Sequence, residues 1–266
     1  MALKFCSLSS GSSGNCYLLG SDSTYILIDA GISAKKITDS LSFLNLTPED
    51  LSGILLTHEH SDHIKGIDVL SKKYGLPVFT NEKTFLELRN LCKHWDQTTF
   101  HLFSNNEIFY IGDLEIKAFP VYHDAADTVG FSVSCQGSKI CTATDTGCVT
   151  DQIINELASA DLIILEANHD EDMLKMGRYP WFLKQRILSD CGHLSNEAAG
   201  EIIAKTFKQD PKQKRFLLAH LSKENNFPEM AYQTILNILE TYDIFPCDKL
   251  NIDLLARDEM SGVYLL

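Results

Sequence analysis

Long apolar runs are missing from this chain of 266 residues. None approaches the roughly 18 consecutive apolar residues of a membrane span, so no membrane partner is expected. The opening Met-Ala-Leu-Lys-Phe-Cys-Ser has a single charge and too short an apolar stretch for a secretory signal, which points to a cytoplasmic protein. Basic residues are also in deficit: 23 Lys and Arg face 36 Asp and Glu, a formal charge of −13. That argues against non-specific coating of DNA. It leaves a nucleic-acid enzyme open, because bound divalent metals and a local basic rim attract phosphates whatever the overall charge. None of the eight cysteines pairs in C-x-x-C spacing, which excludes a compact Cys/His zinc framework, and without a signal a disulfide scaffold is not expected. Repeats and low-complexity blocks are absent. With 44% hydrophobic and 22% charged residues, a disordered or fibrous chain is ruled out.

What is present alternates between strand and helix patterns. Strands are expected at 3–8, 16–19, 25–29, 53–56, 77–80, 99–103, 107–110 and 115–121. A hairpin is expected at 130–135 and 139–143 across Gln136-Gly137-Ser138, and later strands at 162–165 and 216–219. Helices are expected at 34–44, 64–74, 82–91, 150–157, 195–207 with Ser195 as N-cap, and 228–242. The segments 250–255 and 262–266 read as two closing strands. Bunched strands with helices between them in both halves predict two sheets covered by helices, within a single domain over 1–266.

The stretch Thr57-His58-Glu59-His60-Ser61-Asp62-His63 carries the chemistry. Three histidines and an aspartate follow directly on an apolar strand. His58 and His60 point the same way if strand geometry continues, while Asp62 and His63 come from the next turn. Imidazole nitrogen and carboxylate oxygen suit Zn, Mn or Fe. One metal would take His58 and His60, and a second Asp62 and His63. A solvated polar loop is the bland alternative, but the full run is rare. Further ligands are needed for two metals. His123, Asp145 and His220 each stand after an apolar strand run, where an α/β fold collects its site residues, and Asp145 has two oxygens with which to bridge.

These motifs resemble the metallo-β-lactamase superfamily, and the likeness covers nearly the whole chain. His58-x-His60-x-Asp62-His63, His123, Asp145 and His220 match its successive metal motifs. The resemblance implies an α/β fold of α+β type, an αββα four-layer sandwich, with two divalent metal ions per chain. Aspartate at 145 departs from the cysteine-ligand antibiotic-hydrolysing branch, so β-lactamase activity is not expected. Ser9-Ser10-Gly11-Ser12-Ser13-Gly14-Asn15 looks like the opening of phosphodiesterase members. Glu166-Ala167-Asn168-His169, Gly192-His193-Leu194-Ser195 and Leu218-Ala219-His220-Leu221-Ser222 are similar in order to the tRNA 3′-processing endonuclease. The narrowest resemblance is to the bacterial YycJ/WalJ/VicX group. It implies a 5′→3′ DNA exonuclease linked to mismatch repair or to a cell-wall regulon. A β-CASP insertion, on the order of 100 residues, has no room between Asp145 and His220.

The implied roles are specific. Asp62 ligates metal and accepts a proton from the nucleophile. His193 protonates the leaving oxygen, with His169 as second candidate. Ser12, Ser13 and Asn15 contact a substrate phosphate, although an ordinary hairpin accounts for the loop equally well. The Trp181-Phe182 pair beside Arg178, Lys184 and Arg186 would stack bases or, equally, form a packed helix face. The partner expected is a nucleic acid, chiefly DNA ends, and a homodimer is compatible with such folds. A hydrolase of small or cyclic phosphodiesters, an RNA-processing nuclease and a regulatory module with a residual metal site are the competing readings. The complete ligand set weighs against the last.

Overall fold

The computed structural model describes residues 3–266; the first two residues, part of the segment read for a secretory signal, lie outside it. Two compact units emerge. One comprises the chain up to Pro120 with Ala125–Ser138 and Ala256–Leu266, the other Val121–Asp124 with Lys139–Leu255.

The first unit begins with β1 (Lys4–Ser9), β2 (Cys16–Gly20) and β3 (Tyr25–Ile28), an antiparallel meander whose strands are almost wholly buried. Helix α1 (Ala34–Phe43) crosses over to β4 (Leu51–Leu55), which pairs parallel to β3. Ser33 caps α1 by accepting from the Lys36 N–H. Next come α2 (Ser61–Ile64), α3 (Ile67–Tyr74), β5 (Val78–Thr80), α4 (Glu82–Leu91) and β6 (Phe100–Leu102). The expected single helix at 64–74 is therefore two. The break falls at Gly66, whose N–H donates to the Ala30 carbonyl at 2.7 Å, and where a Cβ would lie 2.7 Å from the Ile32 carbonyl oxygen. Strands β7 (Ile108–Ile111), β8 (Leu114–Pro120) and β9 (Val129–Cys135) form an antiparallel set. This set faces the first sheet through aromatic contacts, Phe79 against Phe109 and Phe103 against Phe131. The apolar faces of α1 and α3 (Ile37, Leu41, Ile67, Leu70) close the other side of the first sheet against Leu27, Ile54 and Val78.

The chain reverses at Gln136 and Gly137, both at positive φ as a tight hairpin turn requires, and enters β10 (Ser138–Ala143). In the second unit α5 (Asp151–Ala158) leads to β11 (Leu162–Glu166). Two short helices, α6 (Glu171–Met176) and α7 (Trp181–Ile187), precede α8 (Asn196–Gln209). Then follow β12 (Lys214–Ala219), α9 (Pro228–Thr241) and β13 (Leu250–Leu254), and β14 (Tyr264–Leu265) returns to pair with β1 in the first unit. Strands β10 to β13 run parallel in sequence order. The all-buried Leu-Ile-Ile-Leu run of β11 is what a parallel strand covered on both faces requires. Ser195 caps α8 as expected, accepting from the Ala198 N–H. No helix among the described residues is long and apolar enough to cross a membrane.

Candidate metal centre

Parallel register aligns strand ends, and the strand ends carry the chemistry. In the first unit Ile28 of β3 is opposite Leu55 of β4, so Asp29 and Thr57 emerge side by side. The Asp29 carboxylate accepts from the Thr57 N–H at 2.9 Å and holds His63 Nδ1 at 2.7 Å. Burial pushes the Asp29 carboxyl upward, and the His63 and Thr57 contacts oppose that rise. Thr57 Oγ1 also meets His58 Nδ1 at 3.0 Å. With its Nδ1 side occupied, each imidazole presents Nε2 as the ligand atom. The rings of His58 and His60 lie 4.7 Å apart and those of His58 and His63 4.0 Å apart, so the four sequence-chosen residues of this turn cluster, with Asp62 Oδ2 3.5 Å from His63 Nε2.

Asn15 is wholly buried. Its Oδ1 accepts from the Gly11 N–H at 2.9 Å, and its Nδ2 lies 3.1 Å from His63 Nε2 and 3.4 Å from Asp62 Oδ2. The amide thus ties the loop to the histidine turn. Ser12 and Ser13 are exposed at the loop's tip and line an open cleft.

The second unit repeats the principle. Strands β10, β11 and β12 pair so that Ala143 lies opposite Leu165, and Glu166 opposite Ala219. Asp145, Glu166 and His220 therefore leave three adjacent strand ends together. Asp145 and His220 sit in the left-handed region at φ 54° and 55°, conformations unusual for non-glycine residues and concentrated at functional sites. Asp145, Glu166, His193 and His220 offer ligand atoms all within 4.8 Å of one another. Glu166 Oε1 accepts from both His193 Nδ1 (2.7 Å) and His220 Nδ1 (2.8 Å). Its other oxygen accepts from the Thr146 N–H at 3.0 Å. Burial disfavours charge on Glu166, but the charges and hydrogen bonds of His193 and His220 outweigh it and hold the carboxyl well below the usual range. His123 is anchored through Nδ1 to the Gly192 carbonyl at 3.1 Å, with Nε2 4.0 Å from Asp145 Oδ1.

His193 and His169 separate clearly. The His193 side chain is 20% exposed, whereas those of His123 and His220 are 3% and 2% exposed. Burial lowers the affinity of His193 for a proton, but Glu166 reverses this and raises its pKa. His169 is buried, neither ring nitrogen has a hydrogen-bond partner, and burial pushes it down to about 4. It stands just before Asp170, which caps α6 by accepting from the Met173 N–H.

The donor set suits a divalent cation: imidazoles pre-oriented by carboxylate or carbonyl acceptors, with carboxylates beside them in each unit. Asp29 and Glu166 were not picked out as site residues from the sequence. Each is a carboxylate ending a run of buried Ile and Leu, a position that demands a partner.

A family model described as the beta-lactamase superfamily domain matches residues 24–221. The chain belongs to the metallo-β-lactamase superfamily. It is 42% identical over 246 residues to the protein named exodeoxyribonuclease WalJ of Streptococcus pneumoniae, covering 92% of this chain and 91% of that one. It is equally 42% identical over 240 residues to exodeoxyribonuclease YycJ of Bacillus anthracis, covering 90% of each. Among solved structures, the metallo-β-lactamase fold protein YhfI of Bacillus subtilis superposes with a TM-score of 0.75 over 100% of both chains at 17% identity. The α/β sandwich expected of this superfamily is thus the fold, and its His and Asp clusters suit a divalent metal.

Proposed function

We propose that this superfamily member is a metal-dependent exodeoxyribonuclease that shortens DNA from its 5′ end. The single observation carrying the nuclease reading is 42% identity along 92% of the chain to a relative named exodeoxyribonuclease. The carboxylate-anchored histidines support it. In this reading residues 1–266 work as one catalytic domain in the cytoplasm, as a monomer or homodimer. His58, His60, Asp62, His63, His123, Asp145 and His220 supply the ligands of two divalent ions, Zn, Mn or Fe. Bound metal supplies Lewis acidity toward phosphate oxygens and a water of lowered pKa.

The chain's own residues do the rest. Asp29 and Thr57 hold the histidines of the first unit in one tautomer. Asp62, 24% exposed at its side chain, accepts the proton of the attacking water. Glu166 keeps the His193 ring oriented through Nδ1, which leaves Nε2 to donate to the departing 3′ oxygen. We assign that donation to His193 alone.

The test is a cleavage assay with Mn²⁺ on matched single-stranded DNA, duplex DNA, RNA and bis-p-nitrophenyl phosphate, with Asp145→Asn as control. Stepwise loss of nucleotides from the 5′ end of DNA, absent in the variant, is the expected result. Turnover of the small diester alone would move the substrate to small phosphodiesters, and preferential RNA cleavage would overturn the DNA assignment.

A further inference from the structure

Of the two readings open for Trp181 and Phe182, the packed helix face does not hold. The face of α7 that packs carries Lys184 and Ile187, both buried. The Lys184 ammonium turns inward and donates to the Lys175 carbonyl at 2.7 Å, so it is not placed to meet a phosphate. Trp181 and Phe182 are 67% and 72% exposed, the two most exposed aromatic side chains of the second unit. Large apolar rings left side by side in water mark a contact surface. The helix that bears them is fastened to the residues around His193. The His193 N–H donates to the Ile187 carbonyl at 3.0 Å, and Arg186 pairs with Asp124, next to His123. Phe182 and Arg186 stand four residues apart in α7 and therefore share a face. Phe182 precedes Ile187 by about 8 Å along the helix axis. The start of the helix is held too: the Leu183 N–H donates to the Pro180 carbonyl at 3.0 Å, and a Cβ at Gly177 would lie 2.8 Å from Asn225 Oδ1.

We infer that Trp181 and Phe182 form a platform on which unpaired bases of a DNA strand stack beside His193. The inference rests on the exonuclease reading and names how the strand is held there. Every base has a π face, so exposed rings hold single strands of any sequence. A duplex keeps those faces inside its own stack. With 23 Lys and Arg against 36 Asp and Glu, the chain gains little by neutralising phosphates, and stacking supplies affinity that needs no cation. Arg178, exposed and in no ion pair, stands three residues before Trp181, within reach of a strand's backbone.

A protein partner fits the patch less well. Exposed Arg178, Gln185 and Arg186 border the two rings with polar groups. A stable protein interface takes about 20–30 residues a side around its apolar centre. Two adjoining rings inside a polar border match one or two bases instead, and their tie to His193 places them where a strand entering the site would pass.

The experiment measures binding by fluorescence anisotropy in the Asp145→Asn protein, which keeps the strand intact. The probes are a thymidine oligonucleotide and an oligonucleotide of equal length built from abasic residues, which has the same phosphates and no bases. Trp181→Leu and Phe182→Leu, singly and together, keep an apolar side chain without a π face, while the double variant Trp181→Tyr/Phe182→Tyr keeps both rings. The parent should hold the thymidine strand about tenfold tighter than the abasic one. The double leucine variant should lose that preference, and the double tyrosine variant should retain it. The preference should persist at high salt, because stacking releases no counterions. Quenching of tryptophan fluorescence by the thymidine strand should disappear in Trp181→Leu. Equal binding of the two strands, or a preference that survives the double leucine variant, overturns the platform. A parent dimer that the double leucine variant dissociates gives the rings to a second copy of this chain and overturns it as well. Degradation by the active enzyme judges the exonuclease separately. If DNA is shortened while binding ignores the bases, the platform fails and the exonuclease stands. If binding needs the bases and the rings but no DNA is degraded, the exonuclease reading fails and the platform stands.

Discussion

Glu166 is one carboxylate with two histidines on a single oxygen and two backbone N–H groups on the other, Thr146 at 3.0 Å and Leu194 at 3.3 Å. Such an anchor sets both imidazoles before any metal arrives, and removing one typically costs about 10- to 100-fold in metal affinity. Glu166→Gln keeps the shape but replaces a charged acceptor with a neutral amide, so metal titration should show a loss of about that size. His193→Ala should behave oppositely. Metal content measured by elemental analysis should stay intact while the rate on DNA falls by about 10²- to 10⁴-fold, the ordinary contribution of a general acid. Loss of metal in His193→Ala would make it a ligand instead. Asp145→Asn is a clean control because Asn tolerates the left-handed backbone at φ 54°.

At the scale of elements, α8 shows how a cap reaches the site. Ser195 accepts from the Ala198 N–H, and its own residue bridges to His169, so the segment carrying His193 is tied at the helix start. Ser195→Ala should cost about 1 kcal/mol, read by urea denaturation. A cost near zero would mean that packing of α8 alone sets the start. A little over one turn further on, that helix packs by contact: at Gly200 a Cβ would meet the Ile238 side chain of α9 at 2.9 Å. In the first unit Gly31 has a sterner constraint, since a Cβ there would fall 1.6 Å from the Asp62 carbonyl oxygen. That close approach presses the exit of β3 against the histidine turn. Lys214 is fully buried on β12, where its ammonium donates to the carbonyls of Ala158 and Ala160 at the end of α5.

For the whole molecule, metal and charge set the behaviour. A metal that binds the folded chain and not the unfolded one adds to folding stability, worth about 2.7 kcal/mol at a hundredfold excess over the dissociation constant. Melting with and without chelator should therefore separate by several degrees, and identical melting curves would contradict metal binding by the folded chain. With 23 Lys and Arg against 36 Asp and Glu, DNA phosphates are neutralised only at a local basic rim. The dependence of DNA affinity on salt should be correspondingly shallow, which suits capture of an end more than coating of a duplex.

Sequence alone determined the cluster on the first strand end, because His58-x-His60-x-Asp62-His63 is contiguous and spacing along a strand and turn translates directly into direction. It also determined most of the strands and helices, since buried parallel strands must read as unbroken apolar runs. The break at Gly66, the burial of Asn15 and the pairing of Glu166 with two histidines were decided only by tertiary structure. Each depends on residues far apart in the chain: the Ala30 carbonyl, the His63 ring, and the register of β10, β11 and β12. Periodicity records which face of a strand is apolar. It does not record which neighbour's carboxylate or carbonyl that face will meet, and those meetings orient the histidine rings.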